Sequence, residues 1–292
     1  MGIALRLVAA AAVTACVLPA ADLASIPVAH ASVRAAGPTG VVAVAGELVN
    51  VATGSRMWSR EKNAELPIAS ITKVMTAMVV LSQGDLNRKI MVTAAAVSYA
   101  QENSAGSAGL VPGDILTASQ LLQGLLLPSG ADAAYLLAKS YGPGWHAFVR
   151  KMNTTARRLG MTQTHFANFD GLPWPTENST YSTPRDLIIL GEAAMRNPVF
   201  RHIVAEIRRR IAATSQHHQY LWKNTNLLLR RYRGAIGIKT GFTLAAGYCL
   251  LFEARRHGKE LMGVVLDSTN TDTTMRFTAA ARLLNWGFAR AG

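Results

Sequence analysis

Cysteine is nearly absent from this sequence, which has only Cys16 and Cys249 among its 292 residues. Cys16 lies in an N-terminal segment that we expect to be removed on export, so the mature chain would keep Cys249 alone. A single cysteine cannot form an internal disulfide, which excludes a disulfide-stabilised fold even in an oxidising compartment. We expect Cys249 to be a small buried residue in a strand.

Long apolar runs are lacking as well. The N-terminal apolar run, Leu7 to Leu18, is shorter than the roughly 20 residues that a membrane-spanning helix needs. Arg6 precedes this run and Ala29-His30-Ala31 follows it, which is the pattern of a cleaved secretory signal. We therefore predict a signal peptide over residues 1–31 and an exported protein of the extracellular or periplasmic cell envelope. A lipoprotein acylated at Cys16 is the alternative, but the apolar residues after that cysteine argue against it.

Acidic residues are scarce: 17 Asp and Glu stand against 30 Lys and Arg, for a net charge of +13. The basic residues cluster at 208–210, 230–233 and 255–259, with few aromatic residues between them and no nucleic-acid-binding signature, so no nucleic-acid partner is predicted. An exported protein of this charge would meet anionic envelope polymers or lipid headgroups through its long-range field. A composition biased toward Arg and Ala explains the charge at least as well, so the charge alone identifies no partner.

Metal-ligand spacing is also missing. His217 and His218 are adjacent, but no Glu or Cys stands at a spacing that would complete a metal site, and we interpret the pair as a solvated loop or strand edge. No nucleotide-binding motif is present. The sequence predicts neither a metal nor a cofactor.

Strand-like patterns occupy the two ends of the chain. Alternating and β-branched residues predict a hairpin over 40–49 and 56–59, and three later strands over 237–241, 248–254 and 261–266. Helical periodicity dominates the middle of the chain. The predicted middle helices span residues 93–100, 117–127, 129–141, 145–159, 184–195 and 198–210.

Strands at both ends with helices between them indicate an α/β fold. We predict one domain over residues 32–292, with a sheet part at about 39–92 and 211–292 and an all-helical insert at about 93–210. A helix over Asp272–Ala289, with Asp272 as its N-cap, is predicted to close this domain. No C-terminal β-domain is expected after that helix.

Ser70 and Lys73 stand three residues apart at the start of an apolar run, which predicts a helix ending near Gly84. Residues i and i+3 share a helix face, so the Lys73 amine would lie beside the Ser70 hydroxyl. A lysine in a desolvated pocket can take the proton of such a hydroxyl and make it a nucleophile. The spacing alone leaves open that Ser70 is only an N-cap, since Ser59 and Lys62 have the same spacing in a polar segment.

Two further short motifs follow in chain order. Ser129-Gly130-Ala131 opens a predicted helix, and Lys239-Thr240-Gly241 lies in a predicted strand whose glycine lets a ligand backbone approach. Taken singly, Ser129 could be an N-cap and the second motif an ordinary strand end. The order of the three motifs, and the elements that carry them, make chance a poor explanation.

With these motifs the chain resembles the serine-type D-Ala-D-Ala carboxypeptidases, the low-molecular-mass penicillin-binding proteins of the DD-peptidase/β-lactamase superfamily. The resemblance runs from about residue 39 to residue 289 and includes the stretches 166–172, 182–187 and 224–228. It implies the antiparallel sheet of that superfamily, flanked by helices and carrying a helical insert.

The resemblance also implies acyl transfer at the end of a peptidoglycan stem peptide. Ser70 would attack the carbonyl of the penultimate D-Ala, Lys73 would take its proton, and Ser129 would pass a proton to the leaving amine. Water or an amine would resolve the acyl-enzyme. β-Lactams, which mimic D-Ala-D-Ala, would acylate Ser70 and remain as covalent inhibitors.

Substrate binding is implied for one strand of the sheet. Lys239 and Thr240 would hold the terminal carboxylate of the substrate, a task for a fixed cation and a hydroxyl. The oxyanion would lie on the main-chain N–H groups of Ser70 and Phe242. Gly241 completes this set of predicted substrate-binding residues.

Ala131 departs from the family pattern, which has Asn at the third position of the second motif to orient the lysine and the substrate amide. Loss of one hydrogen-bonding group costs about 1–3 kcal/mol, so acylation should be slower by roughly one or two powers of ten. Asp132 follows as the pattern requires, so the motif is in register.

Two other functions remain open. Ala131 would suit a penicillin-binding scaffold of the envelope that keeps the pocket but performs little chemistry. A β-lactamase would need a glutamate-positioned water to clear its acyl-enzyme; the nearest candidate, Glu177, lies in a proline-rich loop without the lactamase pattern.

Overall fold

The structure, a computed structural model, describes Gly2, residues 37–269 and residues 271–291. Except for Gly2, the predicted signal peptide lies outside the described residues, together with its cleavage site and Cys16. From Gly37 onward the chain forms one compact unit. No helix in the part of the chain that the structure describes is both long and apolar enough to cross a membrane.

Nine α-helices lie within residues 37–269 and 271–291, and a short 3-10 turn at Ala69–Ile71 leads into the first of them. They are α1 (Thr72–Gln83), α2 (Ala94–Glu102), α3 (Ala118–Leu126), α4 (Ala131–Tyr141), α5 (Trp145–Leu159), α6 (Pro184–Met195), α7 (Pro198–Ala205), α8 (Leu228–Arg231) and α9 (Met275–Phe288).

The same residues form eleven strands, of which five make the main sheet. The strands are β1 (Ala45–Asn50), β2 (Arg56–Arg60), β3 (Leu66–Pro67), β4 (Lys89–Met91), β5 (Ile115–Thr117), β6 (Tyr181–Ser182), β7 (Arg208–Ile211), β8 (Tyr220–Lys223), β9 (Ala235–Thr243), β10 (Gly247–Arg256) and β11 (Lys259–Leu266). The main sheet is antiparallel, in the order β2-β1-β11-β10-β9. Three two-stranded ribbons, β3–β6, β4–β5 and β7–β8, lie outside it.

The main sheet is covered on both faces because apolar side chains occupy alternate positions on each face of its strands. Leu250 and Phe252 of β10 pack in one core with Leu283 of α9. Cys249 and Leu251 of the same strand belong to the other core, which contains α1 and the middle helices. Cys249 is fully buried in this strand, which confirms its prediction.

Elements with clear end signals agree with the sequence. Helix α5 spans Trp145–Leu159 and ends at Gly160, which is left-handed, and α1 ends just before Gly84. Helix α3 begins at a capping box, in which the side chains of Thr117 and Gln120 each accept a hydrogen bond from the main-chain N–H of the other residue. Local chemistry alone determines these boundaries.

The helix predicted over residues 198–210 was too long. It ends at Ala205, and residues 208–211 form β7, which pairs with β8. The partner strand lies beyond a loop, so local periodicity could not reveal the pairing. The middle of the chain is therefore not entirely helical, because the short strands β5, β6 and β7 lie within it.

Two further boundaries were misplaced. The N-cap of α9 is Thr274 and not Asp272, whose carboxylate instead accepts hydrogen bonds from the main chain and hydroxyl of Thr274. The first strand begins at Ala45, five residues later than predicted from its β-branched run at residue 40.

The main sheet contains a carboxylate with no exposed surface, that of Glu253. Glu253 of β10 is fully buried, and its Oε1 accepts a hydrogen bond from Arg201 Nη1 at 3.2 Å. Its other oxygen has no hydrogen-bond partner among the described residues. Burial raises the pKa of Glu253 to about 7, although Arg201 acts in the opposite direction.

Glu253 should therefore make the fold less stable as the pH rises. The pKa of Glu253 is higher in the folded state than in the unfolded state. Its contribution to the free energy of unfolding is therefore complete below the unfolded-state pKa and is lost as the pH rises through about 7. We expect Glu253→Gln to reduce the fall in unfolding free energy between pH 4 and 8 by up to about 3 kcal/mol, as measured by urea unfolding across that range. Glu65→Gln, at an exposed position, is the control; equal pH slopes in both variants would contradict this assignment.

Candidate active site

A cleft of about 500 Å³ lies where strand β9 meets the 3-10 turn before α1 and the start of α4. Six of the seven predicted site residues line it: Ser70, Lys73, Ser129, Thr240, Gly241 and Phe242. The loop at residues 103–106 and the segment at residues 171–173 complete its walls. The three sequence motifs therefore meet in space, although about 60 and 110 residues separate them along the chain.

The Ser70 hydroxyl is engaged by Lys73 and not by the helix that follows. The N-cap of α1 is Ile71, which makes no side-chain cap, so the N-cap interpretation of Ser70 was wrong. Lys73 Nζ donates a hydrogen bond to Ser70 Oγ at 2.9 Å. The i, i+3 spacing across the 3-10 turn places both groups on the face that lines the cleft.

The Lys73 side chain is almost completely buried, with 1% of its surface exposed. Burial lowers the pKa of Lys73, and the negative charges of Asp170 and Asp132 partly oppose this shift. A buried amine gives up its proton more readily than a solvated one. Lys73 is thus suited to accept the Ser70 proton.

Ser129 lies in the turn between α3 and α4 and has a positive φ of 67°. The N-cap of α4 is Gly130, so Ser129 does not cap this helix either. Its hydroxyl makes no hydrogen bond within the described residues and is free to meet a ligand in the cleft. Asp132, fully buried at the start of α4, accepts hydrogen bonds from Ser107 Oγ and Ala108 N, and so fastens this turn to the wall of the cleft.

Lys239 is the one predicted site residue that does not line the cleft. Its amine is buried and donates a hydrogen bond to Thr240 O at 3.0 Å. Burial, followed by the positive charges of Lys73 and Arg276, lowers the pKa of Lys239 well below its usual value. Thr240 presents its hydroxyl nearby, at 2.7 Å from Thr225 Oγ1.

Gly241 allows β9 to lie directly against the 3-10 turn. A Cβ at this position would come within 2.8 Å of Ile68 O and 3.3 Å of Ser70 N. This close approach brings Phe242, the next residue, to the cleft beside Ser70. The two main-chain N–H groups predicted to bind the oxyanion therefore come from segments in contact.

Sequence reasoning gave no role to several polar residues of the cleft, among them Arg276 and Thr225. Arg276 reaches it from α9 and donates a hydrogen bond to Gly241 O at 2.9 Å, with its guanidinium carbon 4.8 Å from the Tyr248 ring centroid. No local pattern marks this residue, because the closing helix is remote from the motifs in sequence. Thr225 lay within a stretch that resembles the family, but we had assigned it no role.

Ala131 follows Ser129 and Gly130 but does not line the cleft. It is fully buried at the start of α4, and its N–H donates to Gly106 O at 2.7 Å. Its methyl group can offer no hydrogen bond to Lys73 or to a substrate amide. The side chain at position 131 therefore departs from the pattern expected from the resemblance, whereas the main chain of the motif is fixed by the hydrogen bond to Gly106.

Elsewhere, no group of three or more His, Cys, Asp or Glu side chains within the described residues is arranged to hold a metal ion. His218 lies largely exposed beside Asp114, with 2.8 Å between His218 Nδ1 and the carboxylate. His217 is buried within hydrogen-bonding distance of Gln120, so the interpretation of both histidines as solvated was wrong for His217.

Comparisons with known proteins agree with this geometry. Residues 32–270 match the family described as D-alanyl-D-alanine carboxypeptidase. A D-alanyl-D-alanine carboxypeptidase of Streptomyces sp. strain K15 is 42% identical over 261 residues, covering 85% of this chain and 88% of that protein. DacB2, a D-alanyl-D-alanine carboxypeptidase of Mycobacterium tuberculosis, is 39% identical over 242 residues, covering 81% and 79%.

A solved structure extends the similarity to the fold. The crystal structure of the Streptomyces K15 DD-transpeptidase matches with a TM-score of 0.82 at 41% identity, covering 87% of this chain and 99% of that one. This match confirms the predicted fold class, an antiparallel sheet flanked by helices of the DD-peptidase type. The chain belongs to the D-alanyl-D-alanine carboxypeptidase family of serine peptidases, the low-molecular-mass penicillin-binding proteins.

Proposed function

We propose that this protein removes the terminal D-Ala from peptidoglycan stem peptides through an acyl-enzyme at Ser70, as a DD-carboxypeptidase or transpeptidase. The observation that carries this proposal is the 2.9 Å hydrogen bond from the buried Lys73 amine to Ser70 Oγ, in a cleft shared with Ser129 and β9. A buried amine, a serine and a second hydroxyl are the groups that serine acyl transfer needs.

The reaction would proceed by two proton transfers around one acyl transfer. Lys73 takes the proton of Ser70 Oγ as this oxygen attacks the carbonyl carbon of the penultimate D-Ala. Main-chain N–H groups of Ser70 and Phe242 stabilise the oxyanion. The C–N bond then breaks as Ser129 relays the proton now on Lys73 to the leaving D-Ala amine, and water or an amine releases the acyl group from Ser70.

The substrate carboxylate would bind at the β9 side of the cleft. The Thr240 hydroxyl and the Arg276 guanidinium reach this wall, and the buried Lys239 amine lies 3.0 Å from Thr240 O. We therefore assign direct contact to Thr240 and Arg276, and an electrostatic contribution to Lys239, whose charged form a bound carboxylate would favour. β-Lactams carry a carboxylate in a similar place and would bind as covalent inhibitors.

The mature protein would act in the cell envelope after export, where its substrate lies. The charge of +13 would favour peripheral contact with anionic polymers or membrane surfaces there.

A penicillin-binding scaffold is the second candidate function. The absence of a side-chain amide at Ala131 favours it, because an incompletely oriented base can leave a pocket that binds but reacts slowly. Release of D-alanine from a stem-peptide substrate separates an enzyme from such a scaffold.

Benzylpenicillin should form one lasting covalent adduct with the mature protein and none with Ser70→Ala. Intact-mass spectrometry over time measures this adduct directly, and D-alanine release from a stem peptide is measured alongside it. An adduct that disappears within seconds would indicate a β-lactamase instead. No adduct at all, with Ser70→Ala still folded, would contradict the acylation mechanism and favour the scaffold.

Gly241→Ala should strongly reduce acylation while leaving the fold intact. The new methyl group would press on Ile68 O and separate β9 from the Ser70 turn, which moves the two oxyanion donors apart. Loss of one such donor costs about 10²–10³ in rate, and we expect a decrease of that order in the penicillin acylation rate. Gly54→Ala, in a turn remote from the cleft where nothing lies near the added carbon, is the control for the glycine-to-alanine exchange itself; equal effects in both would refute the mechanism.

Ala131→Asn should raise the acylation rate by roughly one or two powers of ten, because it restores a hydrogen-bonding group near Lys73. Stopped-flow acylation by a chromogenic β-lactam gives this rate. Ala131→Val adds volume at the same buried position without an amide and is the control. An unchanged rate in folded Ala131→Asn would show that the missing amide does not limit the reaction.

A further inference from the structure

Lys73 is held at two points, and only one of them belongs to the Ser70 motif. Within the described residues, Lys73 Nζ donates to Ser70 Oγ at 2.9 Å and to the main-chain oxygen of Asp170 at 3.1 Å. Asp170 lies 97 residues away, in the loop between α5 and β6. Ala131, whose methyl group cannot hydrogen-bond, makes no contribution to this arrangement.

The Asp170 carboxylate is completely buried and held by specific donors. Its Oδ2 accepts a hydrogen bond from Tyr99 OH at 2.9 Å, and its Oδ1 accepts one from Leu172 N at 3.2 Å. Trp174 Nε1 in turn donates to Tyr99 OH at 3.0 Å. Because buried polar groups are costly unless they are bonded, this network fixes the position of the carboxylate.

The loop that carries Asp170 is pressed onto the Ser70 turn. Asn168 Nδ2 donates to Leu172 O and Trp174 O, both at 2.8 Å, and its Oδ1 accepts from Gly171 N at 2.7 Å. A Cβ on Gly171, which has a φ of 82°, would overlap the main-chain oxygen of Ala69. The Asp170 carbonyl therefore has little freedom to leave Lys73.

We propose that Asp170 is a positioning residue: its carbonyl holds Lys73 against Ser70, and its carboxylate supplies the negative charge that faces the amine. This inference rests on the proposed function, in which Lys73 accepts the Ser70 proton. Asp170 itself touches neither the substrate nor the reacting atoms.

The charges around Lys73 give the direction of the expected effect. Asp170 from the loop and Asp132 from α4 face Lys73 with negative charge, and Lys239 from β9 faces it with positive charge. The positive charge of Arg276, on α9, lowers the pKa of Lys239, and the hydroxyl of Tyr99, on α2, donates a hydrogen bond to Asp170. Burial raises the pKa of Asp170 and lowers that of Lys73, whereas their mutual attraction opposes both shifts. Removal of the Asp170 charge should lower the pKa of Lys73 further.

Asp170→Asn keeps the shape of the side chain and removes its charge. We measure the titration midpoint of Lys73 by NMR of protein with ¹³C-labelled lysine side chains, and assign its signal by its loss in Lys73→Arg. The midpoint should move to lower pH by about one unit in Asp170→Asn, the usual effect of losing one nearby opposite charge. The acid limb of the β-lactam acylation rate should move in the same direction.

Glu253→Gln is the matched control, since it also converts a fully buried carboxylate to an amide but lies in the main sheet. It should leave the Lys73 midpoint unchanged. An unchanged midpoint in folded Asp170→Asn, or an equal shift in both variants, would overturn the assignment. A shifted midpoint in Asp170→Asn with no acylation of the wild-type protein would refute the proposed function and leave the coupling of Asp170 to Lys73 in place.

If Asp170→Asn does not fold, a titration of the wild-type protein tests the coupling between Asp170 and Lys73. The ¹³Cγ signal of Asp170 should then respond to pH with the same midpoint as Lys73, because neighbouring titrations are coupled. An Asp170 signal that does not follow the Lys73 titration would overturn the proposal.

Discussion

Burial of the Lys73 amine beside Ser70 is the interaction on which the rest of the cleft depends. A lysine in water holds its proton far too firmly to act as a base at neutral pH, and only desolvation or neighbouring positive charge changes this. Both conditions require a complete surrounding structure: the aromatic and aliphatic core behind α1, the α4 turn on one side and β9 on the other. The hydrogen bond to Ser70 Oγ is local, but the environment that makes it useful is assembled from the whole domain.

The two halves of the site are held together by close main-chain contact. Strand β9 lies at the edge of the main sheet, and the absence of a side chain at Gly241 allows its backbone to meet the turn that carries Ser70. On the opposite side, Gly171 allows the Asp170 loop to approach the same turn. Ser70 is therefore enclosed by two backbone segments, which fixes the oxyanion donors and the amine relative to each other. A site built in this way loses activity through small displacements that barely affect the fold.

The sequence revealed those parts of the site that obey short-range rules. Ser70 and Lys73 are linked by helical spacing, and the ends of α5 and α3 follow from a terminal glycine and a capping box. Arg276 and Thr225 reach the cleft, and Asp170 reaches Lys73, through tertiary packing, for which no periodicity gives a signal. The β7–β8 ribbon was missed for the same reason, since its first strand reads locally as the end of a helix and its partner lies beyond a loop. Ser129 and Lys239 illustrate an intermediate case: the motifs identified them, but only the structure shows that Ser129 lines the cleft and that Lys239 is buried.

Three basic side chains, those of Lys73, Lys239 and Arg276, gather around the cleft. Within the described residues, no acidic side chain lines its β9 wall. Lys239 feels both Lys73 and Arg276, and burial adds to their repulsion, so its ammonium form is disfavoured in the free protein. A carboxylate bound beside Thr240 and Arg276 would offset this repulsion and restore the preference for the charged form. Carboxylate binding and protonation of Lys239 would then favour each other, as linkage requires. A ligand without a carboxylate would leave this repulsion in place.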